Sequence, residues 1–176
     1  MEIGESLVGA YMRYVRDCEV VVYNTYLRDR QGELDVIAVK TDPRTIWLCE
    51  VTTHITGGGM LIVGTGGENT TIQRIRKKLE RATEFADITF PGDQHRFEIW
   101  SPRVPVGATT QAFEEMREQF AAAGRSLDFV INEEYTARVK ELLDHARSNT
   151  SATNEPPYRM LQVLTHLRAA RLSLDE

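Results

Sequence analysis

Positive charge is in short supply in this chain. Its 176 residues hold 21 lysines and arginines against 26 aspartates and glutamates, a formal net charge of −5. That balance excludes a protein that coats nucleic acid indiscriminately, since phosphate binding draws on clustered cations. A local basic patch on an acidic body stays compatible with it. Cysteine is scarcer: there are two, Cys18 and Cys49, each inside an apolar run. They predict buried free thiols in a reducing compartment, not a disulfide framework. The histidines His95, His145 and His166 show no ligand spacing and no link to the cysteines, which argues against a zinc site. No uninterrupted apolar stretch approaches membrane-spanning length. The opening MEIGESLVGAYMRYV has acids where a signal peptide has a basic region. The expectation is a cytoplasmic protein with no membrane partner.

What is present is ordinary for a globular protein: 41% hydrophobic and 27% charged residues, enough apolar material for one sizeable core. Leu7, Val8, Tyr11, Tyr14 and Val15 recur at helical spacing and predict a helix over residues 4–16. CEVVVYNTYL is rich in valine and tyrosine and reads as a strand. RDRQGELDVIAVK predicts a turn at Gly32 and a second strand, and TIWLCEVTTH a third after the turn signal Asp42–Arg44. Connections this short suggest an antiparallel meander. Residues 57–67, GGGMLIVGTGG, read as a glycine-rich loop, with room for a short strand through Leu61–Val63. A helix follows from about Thr70 to Ala86, with Ile72, Ile75, Leu79, Ala82 and Ala86 as its apolar stripe. HRFEIWSPRVP predicts a strand, TTQAFEEMREQFAAAG a helix that ends before Gly124, LDFVINEEY a strand, and residues 133–147 a helix. SNTSATNEPP, residues 148–157, is polar and aperiodic and reads as a linker or exposed loop. Residues 158–176 predict a C-terminal amphipathic helix packed on the domain formed by residues 1–147. The order implies an α/β fold, a mixed sheet with helices on its faces.

Two carboxylates stand out by their surroundings. Asp35 lies between Leu34 and Val36, and Glu50 between Cys49 and Val51. A lone carboxylate in an apolar strand is costly to desolvate and needs a cation, an arginine or hydrogen-bond donors. If the two strands are neighbours, the acids converge at one end of the sheet. Two such oxygens with a backbone carbonyl, here that of Val51, suit Mg²⁺ or Mn²⁺.

GELDVIAV followed by Glu50-Val51-Thr52, in the order helix, three strands, helix, strand, resembles the PD-(D/E)XK nuclease superfamily over roughly the first 105 residues. The resemblance implies a restriction-endonuclease-like fold and metal-dependent hydrolysis of DNA phosphodiester bonds in repair, recombination or defence. It implies Asp35 and Glu50 as ligands of Mg²⁺ or Mn²⁺. It also implies a role for Glu5, the first-helix glutamate that many members add, at a second metal or a coordinated water. The family's lysine is Thr52 in this chain, a neutral residue that at most hydrogen-bonds a water. Lys77, Lys78 and His54 are candidates to supply the missing function.

The helix that begins TTIQRIRKKLER carries Gln73, Arg74, Lys77, Lys78 and Arg81 on the side away from its apolar stripe, the best candidate for a DNA-contacting surface. The glycine-rich loop before it lacks the GK[ST] ending of a P-loop. Plainer readings stand beside these. Strand-end carboxylates pair with arginines, a first-turn glutamate such as Glu5 is favoured by the helix dipole, and a basic helix face is often only solvated. A catalytically degenerate nuclease fold that binds nucleic acid or protein is the alternative to an enzyme, and a small α/β enzyme unrelated to nucleic acid is a third. The final helix is a candidate for pairing two chains as a homodimer.

Overall fold

The structure, a computed structural model, describes residues 2–26, 32–53 and 70–169. Five strands form one mixed sheet: β1 (Val20–Tyr26), β2 (Glu33–Thr41), β3 (Arg44–Val51), β4 (Gln94–Ser101) and β5 (Ser126–Ile131), lying side by side in chain order. β1, β2 and β3 are antiparallel neighbours, so the expected meander is present. β4 runs parallel to β3, and β5 parallel to β4. Parallel neighbours need a crossover connection, and helices provide it. α2 (Thr70–Thr89) lies between β3 and β4, and α3 (Ala108–Ala122) between β4 and β5.

The sheet buries both faces, which explains why its central strands read as near-continuous apolar runs. On one face Ile46, Leu48, Phe97 and Ile99 meet Ile75, Leu79, Ala82 and Ala86 of α2 and Phe113 and Met116 of α3. The spacing of the α2 residues is that of one helical stripe. Phe113 of α3 stacks on Phe129 of β5 at 4.2 Å between ring centres. On the other face Val36, Ala38, Trp47, Cys49 and Trp100 meet Val8, Tyr11 and Met12 of α1 (Ile3–Tyr14) and Leu142 and Ala146 of α4 (Asn132–Ser148). α5 (Pro156–Ala169) packs on α1 and α4, and its Tyr158 stacks on Tyr14 at 3.8 Å.

Boundaries depart from the sequence expectation by a few residues. α1 ends at Tyr14, two residues early, and Asp17 then takes a left-handed conformation with φ 57°. β3 ends at Val51. His54 and the glycine-rich run 57–67 lie outside the described residues. α5 begins at Pro156, where a proline costs nothing because the first helical N–H groups have no partner inside the helix. Cys18 and Cys49 are buried free thiols, and burial pushes the Cys18 thiol up to about 11 and that of Cys49 well above its ordinary value. No described helix is long and apolar enough to cross a membrane.

Candidate functional site

β2 and β3 pair through Val36 and Cys49, so the next row of the ladder brings Asp35 opposite Glu50. Here the regular pairing gives way. The Val51 N–H donates to Asp35 Oδ2 at 2.7 Å, a side chain standing in for a strand partner. Both acids are buried, each 5% exposed. They face α2, and Lys78 reaches down from that helix between them. Its Nζ donates to Glu50 Oε2 and lies 3.5 Å from Asp35 Oδ2. The site is therefore two carboxylates on adjacent strands that share one ammonium.

Electrostatics follow from that arrangement. Burial pushes the Glu50 carboxyl up to about 8, opposed by the Lys78 charge and reinforced by the neighbouring acid Asp35. For Lys78, burial works against its charge, but Glu50 and then Asp35 outweigh it and hold its ammonium above the ordinary lysine value. The Glu50 Oε1 atom is buried without a hydrogen-bond partner among the described residues. Glu50 lines a small cavity of about 30 Å³ together with Thr52, Ile75, Lys78, Ile99, Ser101, Val104 and Phe113 among others.

A third buried acid provides an internal comparison. Glu98 lies one strand further on, and its register partner is Cys49, so it faces the α1 side of the sheet. Arg16 donates to its Oε1 at 3.0 Å and the Trp100 indole N–H to its Oε2 at 2.8 Å. Glu98 is thus fully satisfied by its own arginine. This is the structural arrangement that the plainer reading assigned to Asp35 and Glu50, and among the described residues neither of those two has an arginine among its contacts.

The remaining predicted residues fall in three places. Thr52 continues the β3–β4 pairing through its backbone, its N–H donating to Trp100 O at 2.9 Å, and it lines the cavity beside Glu50. Glu5, in the first turn of α1, accepts the Glu2 N–H at 2.7 Å and the Asn24 side-chain amide at 3.1 Å. It closes a capping box with Glu2. Among the described residues no three histidine, cysteine or acidic side chains gather as a cation-binding group; Glu5 does not complete a triad with Asp35 and Glu50. Of the polar α2 residues singled out for DNA contact, Gln73, Arg74 and Lys77 are exposed and Lys78 turns inward to the acids. Arg81 is half-buried against the start of β2, where Gly32 (φ 144°) leaves room for its guanidinium. Val51 contributes its N–H to Asp35.

Sequence reading passed over Asn24 and Ser101. Asn24 has a left-handed φ of 47° and sits in register opposite Asp35, between the pairs Tyr23–Val36 and Thr25–Leu34. An asparagine inside a valine- and tyrosine-rich strand was its signal. Ser101 follows Phe97 and Ile99 at every second position, so it shares their face and that of Glu50.

The carboxylate pair fits a divalent cation in donor chemistry: two converging oxygens are what Mg²⁺ or Mn²⁺ takes from a protein, and the pair already holds one positive charge, that of Lys78. No known family model, curated protein or solved structure matches the chain.

Proposed function

We propose that the chain is a metal-dependent nuclease-like protein of the restriction-endonuclease-like fold, hydrolysing DNA phosphodiester bonds. The observation that carries this reading is the Asp35–Glu50 pair converging on one sheet face and sharing Lys78. The element order adds support: a helix, an antiparallel three-strand meander, a helix, and a strand parallel to the third. So does the position of the site. It lies where β3, β4 and β5 end, the rim at which parallel α/β sheets bind ligands.

Asp35 and Glu50 would hold Mg²⁺ or Mn²⁺ with the Val51 carbonyl. The bound ion supplies a water of lowered pKa and neutralises charge on the scissile phosphate. Lys78 does what Thr52 cannot. Its ammonium stands at the carboxylates from the neighbouring helix, a place from which it orients a water or stabilises a developing phosphate charge. Arg74 and Lys77, on the exposed side of the same helix, and Arg81, further along it and against the start of β2, supply phosphate contacts that set the DNA over the acids.

The second reading, a degenerate nuclease fold that binds nucleic acid or protein without cutting, is favoured by the neutral Thr52 in the motif's lysine position. Incubating plasmid, single-stranded and branched DNA with the protein in Mg²⁺ or Mn²⁺ separates the two. Cleavage that vanishes in Asp35→Asn and in Lys78→Met supports catalysis with Lys78 as the working ammonium. DNA binding without cleavage, weakened when Arg74 and Lys77 are changed to glutamine, supports the binding module. Neither cleavage nor DNA binding would reject both.

A further inference from the structure

Two residues that line one small cavity each carry a buried oxygen with no hydrogen-bond partner among the described residues. One is Glu50 Oε1 and the other is Ser101 Oγ; their residues are 5% and 2% exposed. The cavity that both residues line, about 30 Å³, exceeds the roughly 10–15 Å³ that one water requires. Its other walls are the side chains of Ile75, Ile99, Val104 and Phe113, which offer only carbon, together with Val51, Thr52 and Lys78. Mg²⁺ inside it would lack most of its six oxygens, whereas a water needs two to four polar partners. One wall is also braced. The Asn132 side chain accepts the Val104 N–H at 2.8 Å and donates to the Val104 carbonyl at 3.0 Å, fixing the chain that follows β4.

We infer that this cavity holds one structural water that bridges the Ser101 hydroxyl to Glu50 Oε1, making Ser101 a positioning residue for the carboxylate pair. The water takes up one glutamate oxygen. The other, Oε2, is thereby turned toward Asp35 and Lys78, the direction from which a cation is gripped. Ser101 touches neither cation nor substrate; it acts through the water and Glu50. In the sequence it is the last of four same-face residues on β4, after His95, Phe97 and Ile99, and the only hydroxyl among them.

The inference rests on the metal-site reading above, and its test keeps the two apart. Mn²⁺ binding by the full chain is titrated by electron paramagnetic resonance for wild type, Ser101→Ala and Asp35→Asn. Thermal unfolding is measured alongside in EDTA, and the wild type is crystallised for the water. Ser101→Ala is expected to weaken Mn²⁺ binding about tenfold, the effect of losing an outer partner of a ligating carboxylate. Its unfolding midpoint in EDTA is expected to match wild type, which a merely structural role would not allow. Density for a water within hydrogen-bond reach of both oxygens completes the support. Unchanged Mn²⁺ affinity in Ser101→Ala, or a dry cavity, overturns the role of Ser101 while Asp35→Asn still abolishes binding. An Asp35→Asn chain that binds Mn²⁺ like wild type overturns the metal-site reading and this inference with it.

Discussion

Glu50 gives the site a pH dependence that can be worked out from its surroundings. Its carboxyl releases a proton near 4.5 when unfolded and near 8 when buried beside Asp35. Between those values the folded chain holds more protons than the unfolded one, so stability falls as pH rises through the window. Glu98, also raised by burial, works in the same direction. The raised Lys78 acts only at higher pH, where unfolded lysines lose their charge. Urea unfolding from about pH 5 to about pH 8 is expected to show a declining free energy, and Glu50→Gln a shallower decline. An unaltered decline in that variant would mean that Glu50 ionises like an exposed acid. Lys78→Met belongs to the same scale. It leaves two buried acids without their shared cation, and the expected loss is about 1–3 kcal/mol at pH 8 and much less at pH 5, read from the same urea curves.

Among the elements, the seating of α1 against the sheet depends on close approach. A β-carbon on Gly9 would stand 2.1 Å from the Tyr23 hydroxyl, and one on Gly4 2.0 Å from the Thr53 side chain. Tyr23 in turn donates to Glu155 at 3.0 Å, tying β1 to the start of α5. Gly9→Ala is therefore expected to destabilise the protein by roughly 1–3 kcal/mol through overpacking, with a lower unfolding midpoint by circular dichroism. An unchanged midpoint would show that Tyr23 swings away freely.

This is also the scale at which the sequence was most informative. Periodicity located every helix and strand of the described residues, because both helical stripes and apolar strands are local patterns. It placed Asp35 and Glu50 as exceptional for the same reason: a carboxylate amid apolar neighbours can be seen without coordinates. It did not single out Glu98, whose local pattern in HRFEIWS is the same. Whether a buried acid is matched by its own arginine or shares a cation depends on α1 and α2 packing on opposite faces, which no local pattern encodes. Lys77 and Lys78 were both candidates to stand at the acids, and the sequence could not choose between them for a similar reason. Residues 77 and 78 both lie off the apolar stripe, and only the rotation of α2 over the sheet decides which of them points inward. Asn24 and Ser101 are single polar residues whose roles come from register and from cavity shape, both long-range properties.

At the scale of the whole molecule the sheet separates two polar systems. On the α2 side lie Asp35, Glu50 and Lys78. On the α1 side a network runs from Glu98 through Arg16, whose guanidinium lies over Tyr11 and Trp47. Tyr11 donates to Glu141 at 2.6 Å and accepts from Arg138 at 3.1 Å, so the network joins α1, β4 and α4. Arg16→Met removes the cation and strands Glu98, and a loss of about 3–5 kcal/mol is expected, measured by chemical denaturation. The DNA cleavage proposed above should persist per folded molecule in that variant, because the α2 side keeps all its groups; its loss in fully folded Arg16→Met would mean that the two sides communicate.

The common direction of β3, β4 and β5 has a practical consequence. Their starting ends gather at the opposite edge of the molecule, with the Asp42–Pro43 turn, the bend at Gly92 and the Gly124 corner, held by an Arg44–Asp93 contact at 2.8 Å. That edge is a natural handle. A fluorophore or an inserted peptide at Gly92 would report on the protein from a full strand's length away, leaving the acids and their lysine undisturbed.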